Sequence, residues 1–178
     1  MDLHIRPAVK ADLPILAEIL NSSWLASCPE FLPGECVRSW VENGRARRQT
    51  EAIWTRCRLA VVGPGKPLGF VSVRGSMVEM LWVLPEVWNL GIGSRLLAAA
   101  EADIRSRGRL RGELNVYREN KRAVAFYGAK GWGKAKEFVE VLSGGLLLPV
   151  LRMEKDLHAC GSSPGTSLPA NSYHHYFK

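Results

Sequence analysis

The sequence predicts an α/β (α+β) domain: a mixed, mostly antiparallel seven-stranded sheet with one parallel pair at its centre, flanked by about four helices. Three observations carry this. The runs 58–62 (RLAVV), 68–74 (LGFVSVR) and 78–84 (VEMLWVL) are apolar and rich in β-branched or aromatic residues. Short Gly/Pro links join them, which makes an antiparallel meander. The third run leads into a helical stretch and then another strand, 111–117 (RGELNVY). A helical crossover of that kind sets the two strands parallel.

In chain order, 3–6 (LHIR) reads as a first strand ended by Pro7. Asp12 is placed to cap the next helix, with Pro14 tolerated in its first turn. Ile15, Leu16, Ile19 and Leu20 give that helix an apolar face, and it is expected to fray near Asn21-Ser22-Ser23. Pro29 and Pro33 bracket a loop. A second helix is expected from Gly34 to about Thr55, with Asn43-Gly44 as a breaking point. Trp24, Phe31, Trp40 and Trp54 make this region aromatic. Such rings serve either core packing or the wall of a substrate pocket.

Leu96, Leu97, Ala100 and Ile104 mark the buried face of the helix after the central strand, with Gly108 beyond its end. Asn120 caps a further helix carrying Ala123, Val124, Phe126 and Tyr127, closed by Gly131-Trp132-Gly133. Two last strands, 135–142 and 146–155, form a hairpin around Ser143-Gly144-Gly145. From His158 the composition turns to Gly, Ser and Pro without a period, so residues 1–157 are expected to be the domain and 158–178 a disordered tail.

The chain has 178 residues, 47% hydrophobic and 23% charged, which suits one domain with a sizeable core. No apolar run approaches the ~20 residues that span a bilayer, and the N-terminal residues lack a signal-peptide core. The expectation is a soluble cytoplasmic protein with no membrane partner. Four cysteines lack C-x-x-C spacing, which points to free thiols and no metal. The net charge of +7 is dispersed, which argues against nucleic acid as a partner but suits an anionic cofactor.

The stretch 77–97 (MVEMLWVLPEVWNLGIGSRLL) has the order strand, loop, Gly-rich turn, helix. Pro85 stops the strand, and Gly91-Ile92-Gly93 opens the helix. Unpaired N–H groups and the positive helix end then converge where a phosphate can sit. A second motif lies at 115–132 (NVYRENKRAVAFYGAKGW). Together the two motifs, at this spacing, resemble the GCN5-related N-acetyltransferase (GNAT) superfamily over residues 3–157. The resemblance implies the GNAT fold, with the central parallel pair splayed, and an acetyl-CoA-dependent N-acetyltransferase. Such an enzyme moves the acetyl group to a primary amine of a small molecule or protein by direct attack in a ternary complex.

The resemblance also implies a residue set. The pyrophosphate cradle of acetyl-CoA maps to Asn89, Leu90, Gly91, Ile92, Gly93 and Ser94. Main-chain contacts to the pantetheine arm map to Leu81, Trp82 and Val83, with an N–H near Val83 facing the oxyanion. Asn120 maps to a cofactor contact, and Tyr127 to the acid that protonates the departing thiolate. Trp88 and Leu90 stand where the pattern usually has polar or basic residues; Arg95, Arg118 and Lys121 are the nearby cations that could substitute. Glu79, on the central strand, is the expected general base. The Glu used by some relatives, five residues before the motif asparagine, is here Asn115, and Glu113 and Glu140 are the alternatives. A CoA-binding module without chemistry is the competing reading. Homodimers are common in the superfamily, so a homodimer is the expected assembly.

Overall fold

A computed structural model describes residues 2–142 and 145–158. The tail expected beyond His158 and the Ser143-Gly144 part of the hairpin turn lie outside the described residues. Seven strands form one sheet in the order β1-β2-β3-β4-β5-β7-β6. They are β1 (Leu3–Pro7), β2 (Cys57–Val62), β3 (Pro67–Arg74), β4 (Met77–Val83), β5 (Arg111–Tyr117), β6 (Gly133–Val141) and β7 (Leu147–Asp156). Five helices flank them: α1 (Leu13–Ser27), α2 (Gly34–Glu42), α3 (Arg45–Ile53), α4 (Ile92–Ser106) and α5 (Lys121–Ala129).

The second expected helix is two. Gly44 takes φ 55, a left-handed conformation that costs glycine little, and the chain turns there between α2 and α3. Helix α1 runs on through the Asn21-Ser22-Ser23 segment to Ser27. Tertiary contacts hold that last turn: Ser23 Oγ donates to the Val83 carbonyl at 2.9 Å, and Trp24 stacks on Trp40 with centroids 4.2 Å apart. Asp12 does not cap α1 through its side chain. Its carboxylate instead accepts from Val9 N–H at 2.8 Å and from the Arg6 guanidinium, which holds its pKa below the usual carboxylate range.

Two apolar cores lie on the two faces of the sheet. One, against α4 and α5, contains Val71, Val78, Leu96, Ile104, Leu114 and Trp132. The other, against α1–α3, contains Leu16, Leu20, Trp24, Trp40, Leu59 and Phe70. The alternation of residues along β3 and β4 feeds both.

All ladders are antiparallel except β4–β5. That parallel ladder pairs only Met77 with Glu113 and Val78 with Leu114. One residue later the β3–β4 register shifts: Ser72 pairs with Met80 and Val73 with Val78, so Glu79 is the extra residue of a bulge. A bulge adds local twist and bend. Beyond it β4 stays with β3, β5 stays with β7, and a gap opens between them.

Gly69 lets β3 and β4 approach beside this gap. A Cβ there would stand 2.7 Å from the Trp82 carbonyl oxygen and 3.0 Å from Leu96 Cδ1. Backbone cannot yield as a flexible side chain does, so Gly69→Ala is expected to cost about 1–3 kcal/mol, read by urea denaturation.

Candidate active site

The gap is the mouth of a cavity of about 920 Å³. It is lined from both sides of the sheet: Tyr127 and Ala123 come from the α4/α5 face, Trp24, Trp40 and Tyr117 from the α1–α3 face. The cavity therefore passes through the sheet, and two molecules can meet in it from opposite faces.

Backbone direction along β4 follows from one hydrogen bond. Leu84 N–H donates to the Leu68 carbonyl at 2.9 Å. In an antiparallel ladder every second residue then faces the partner strand, so Trp82 turns its N–H and carbonyl to β3 while Leu81 and Val83 turn theirs to the gap. Of the three residues mapped to the pantetheine, Trp82 thus spends its backbone on the sheet. The Val83 carbonyl is also taken, by Ser23 Oγ and by Trp88 Nε1–H at 2.7 Å. Leu81 N–H, Leu81 C=O and Val83 N–H remain for a ligand in the gap.

At the end of β4 a short 3-10 turn, Pro85–Val87, leads into the Gly-rich turn. Asn89 (φ 64) and Gly91 (φ 82) are both left-handed. The first hydrogen bond of α4 is from Arg95 N–H to the Gly91 carbonyl at 3.1 Å. Among the described residues, the N–H groups of Gly91, Ile92, Gly93 and Ser94 have no acceptor. This is a preformed anion cradle at the start of a 15-residue helix. Leu90 is 56% exposed, so it lies outside the core and leaves the cradle to the backbone.

Trp88 has its own account. Its indole N–H closes on Val83, and the Arg122 guanidinium lies over its ring, 3.3 Å from the centroid. The cation beside this loop is therefore Arg122, from the first turn of α5. The sequence pointed instead to Arg95, Arg118 and Lys121; of these, Arg118 pairs with Glu119 and Glu137, and Lys121 with Glu119. No sequence spacing signals a stack between a loop residue and a helix 34 positions on.

Asn120 Oδ1 accepts from Ala123 N–H at 3.0 Å, so it caps α5 while lining the cavity. Tyr127 is buried against Phe126 and Trp132, both edge-on, at 5.2 and 6.3 Å between centroids. Burial pushes its phenol well above the ordinary range, which keeps it protonated. Among the described residues its hydroxyl has no hydrogen-bond partner. Burial likewise pushes the Cys28 thiol in the cavity wall up to about 11, so that thiol is neutral and inert at physiological pH.

Glu79 reaches the cavity wall but is tied to two arginines. Arg56 Nε donates at 2.8 Å and Arg74 Nε at 2.8 Å, and its side chain is only 14% exposed. Both carboxylate oxygens are engaged. The bulge at Glu79 removes it from the alternation shared by Leu81 and Val83, and the two guanidiniums compete directly with any substrate proton.

A cavity open to both faces of the sheet, with free N–H groups at one end, can hold two substrates, one of them anionic. Residues 14–133 match the Acetyltransferase (GNAT) family, and the chain belongs to that family. It is an acetyl-CoA-dependent N-acetyltransferase. It is similar to the spermidine N(1)-acetyltransferase of Thermoplasma acidophilum, 25% identical over 143 residues, covering 74% of this chain and 89% of that one. A GCN5-related N-acetyltransferase from Rhodopseudomonas palustris shares the fold at TM-score 0.72 and 20% identity, over 88% of this chain and 96% of that one. The PaiA N-acetyltransferase of T. acidophilum, solved in complex with coenzyme A, matches at TM-score 0.70 and 24% identity, over 88% and 99%.

Two expectations test the site. Gly91→Ala puts a Cβ on a left-handed residue and strains the cradle, so acetyl-CoA binding is expected to weaken about 5–10-fold by calorimetry. Glu79→Gln breaks a partly exposed double ion pair and is expected to lose about 1–2 kcal/mol of stability. Its kcat/KM should fall by the same factor at every pH; a loss that is recovered at high pH would return the base role to Glu79.

Proposed function

We propose that this chain acetylates the primary amine of a small aliphatic acceptor, with Tyr127 as the general acid. The carrying observation is the single cavity through the parted sheet, with a buried, protonated phenol on one face and an open aromatic chamber on the other.

The cofactor fits this chain's own groups. The cradle of free N–H groups at the start of α4 suits the pyrophosphate, and Asn89, Leu90 and Gly91 shape the turn before it. Val83 N–H and Leu81 C=O suit the amides of the pantetheine arm. The arm runs from the cradle down β4, so the thioester lies farther from the helix than Val83. That makes Leu81 N–H, rather than Val83 N–H, the donor for the oxyanion. Acetyl-CoA supplies the activated acyl group.

The acceptor enters from the α1–α3 face. An alkyl ammonium has a pKa near ~10, so it must lose a proton before it can attack. Its nitrogen then adds to the thioester carbonyl carbon. As the intermediate collapses, the C–S bond breaks and Tyr127 Oη–H protonates the departing sulfur. The nitrogen's second proton restores Tyr127 through solvent. Starting from the ammonium, one proton ends on the thiol and one in solvent.

The acceptor class rests on two features. Glu35 and Glu140 add carboxylates to a chamber walled by Trp24 and Trp40, which suits an aliphatic cation. The similar T. acidophilum protein is named for a polyamine. Among the described residues no helix is long and apolar enough to cross a membrane. We place the enzyme in the cytoplasm, where acetyl-CoA is made and used, and propose a homodimer as its assembly.

Incubation with acetyl-CoA and a panel of amines, including spermidine and simple diamines, is expected to release thiol. Cofactor binding without turnover on any amine would favour the non-catalytic reading. Tyr127→Phe is expected to lower kcat by about 10²–10⁴ with little change in acetyl-CoA affinity. Because burial raises the Tyr127 pKa, the wild-type rate should show no alkaline fall from this group up to pH 10.

A further inference from the structure

The reaction needs a proton acceptor on the acceptor face of the gap, and Glu79 is held in two ion pairs. Tyr117 stands on that face. The parallel ladder pairs Val78 with Leu114. The ladder ends there, and three residues further along β5 Tyr117 lines the same cavity as Leu81, whose N–H is turned to the gap. Tyr117 packs in the core shared with Trp24, and Phe31 tilts against its ring at 5.9 Å between centroids. Tyr127 belongs to the opposite core. The two phenols therefore line one cavity from opposite faces of the sheet.

Behind Tyr117 lies a carboxylate. Tyr117 pairs with Val150 of β7, and Val150 pairs with Phe138 of β6. Glu140 is two residues beyond Phe138, so it projects from the same face of the sheet. Tyr117 and Glu140 line the same cavity, and the Glu140 carboxylate is close enough to the phenol to push its pKa up. Glu140 is also exposed to solvent, where a proton can leave.

We propose that Tyr117 and Glu140 form a proton relay that deprotonates the acceptor ammonium, a step that rests on the acetyl-transfer reading above. One N–H proton of the ammonium passes to Tyr117 Oη as the phenolic proton passes to the Glu140 carboxylate. The N–H bonding pair becomes the lone pair that attacks the thioester carbon. Tyr117 is again a neutral phenol, and Glu140 releases its proton to water. Burial and the Glu140 charge raise the Tyr117 pKa, and Cys28, just beyond α1, and Cys36, in α2, add to this only when ionised. A free phenolate is therefore disfavoured, and the two transfers must be concerted.

The test is the pH dependence of kcat/KM for Tyr117→Phe, Glu140→Gln and the double variant, using the best amine of the panel. Each single variant should lose about 10²-fold near pH 7. The loss should shrink toward the amine's own pKa near ~10, where the free base needs no help. The double variant should match either single variant, as for groups that act as a unit. Calorimetry should show unchanged acetyl-CoA affinity, and Glu140, being exposed, can be replaced without disturbing the fold. A loss that is constant with pH, a change in KM alone, or multiplicative losses in the double variant would overturn the relay while leaving the acetyl-transfer reading in place. A wild-type chain that acetylates no amine would overturn both.

Discussion

The double ion pair of Glu79 with Arg56 and Arg74 is the constraint on which the site depends. Glu79 is the surplus residue of the β3–β4 bulge, and the β4–β5 ladder stops at the residue before it. Arg56 comes from the end of the α3 region and Arg74 from the end of β3, so the carboxylate ties the bulge to two fixed elements. A surplus strand residue normally has a choice of side. Two guanidiniums holding one poorly exposed carboxylate remove that choice, and the kink in β4 is directed away from β5. The gap is thus built by electrostatics at its closed end and left open at the other.

The open end has its own fastening. The Val83 carbonyl would be an unpaired acceptor at the edge of a parted strand, costly if left without a partner. Ser23 from α1 and Trp88 from the following loop both donate to it. One bond ties the acceptor-side helix to β4, and the other ties down the loop that leads to the phosphate cradle. Arg122 then closes over Trp88 from the other arm of the gap. The tryptophan that breaks the family's polar pattern is thus a fastening. It fixes the loop, carries a cation to it, and leaves the anion to the backbone N–H groups of α4.

The sheet was legible because its signals are local. Pro85 after an apolar run, the Gly-Pro-Gly link between β2 and β3, and the single helical crossover before β5 settle the order β2-β3-β4-β5 without tertiary knowledge; the place of β7 between β5 and β6 depends on pairing across the sheet. The Gly-rich turn and the start of α4 were legible for the same reason, since a turn and a helix start are properties of neighbouring residues. The ion pairs of Glu79 were not legible, because its position on the strand is visible in sequence while its partners, 23 and 5 residues away, are not. Tyr117 was missed for a related reason. It reads as the last residue of a strand, and only the parting of β4 from β5 opens it to the cavity. Splitting of the α2–α3 stretch turned on one left-handed glycine, which sequence marks but does not decide.

The two tyrosines show why the sheet has to part rather than merely end. Acyl transfer to an amine moves protons in opposite senses: one must leave the nucleophile, and one must reach the leaving group. A single group serving both needs would have to be base and acid in the same transition state. In the reaction proposed above, placing Tyr127 in the α4/α5 core and Tyr117 in the α1–α3 core separates the two duties by the thickness of the sheet. Burial keeps Tyr127 protonated, the form an acid requires. At Tyr117 a carboxylate behind the phenol turns a group that could not itself hold a negative charge into a conduit for one. The same chemical group is given opposite work by what stands behind it, and the parted strands let both reach the same thioester.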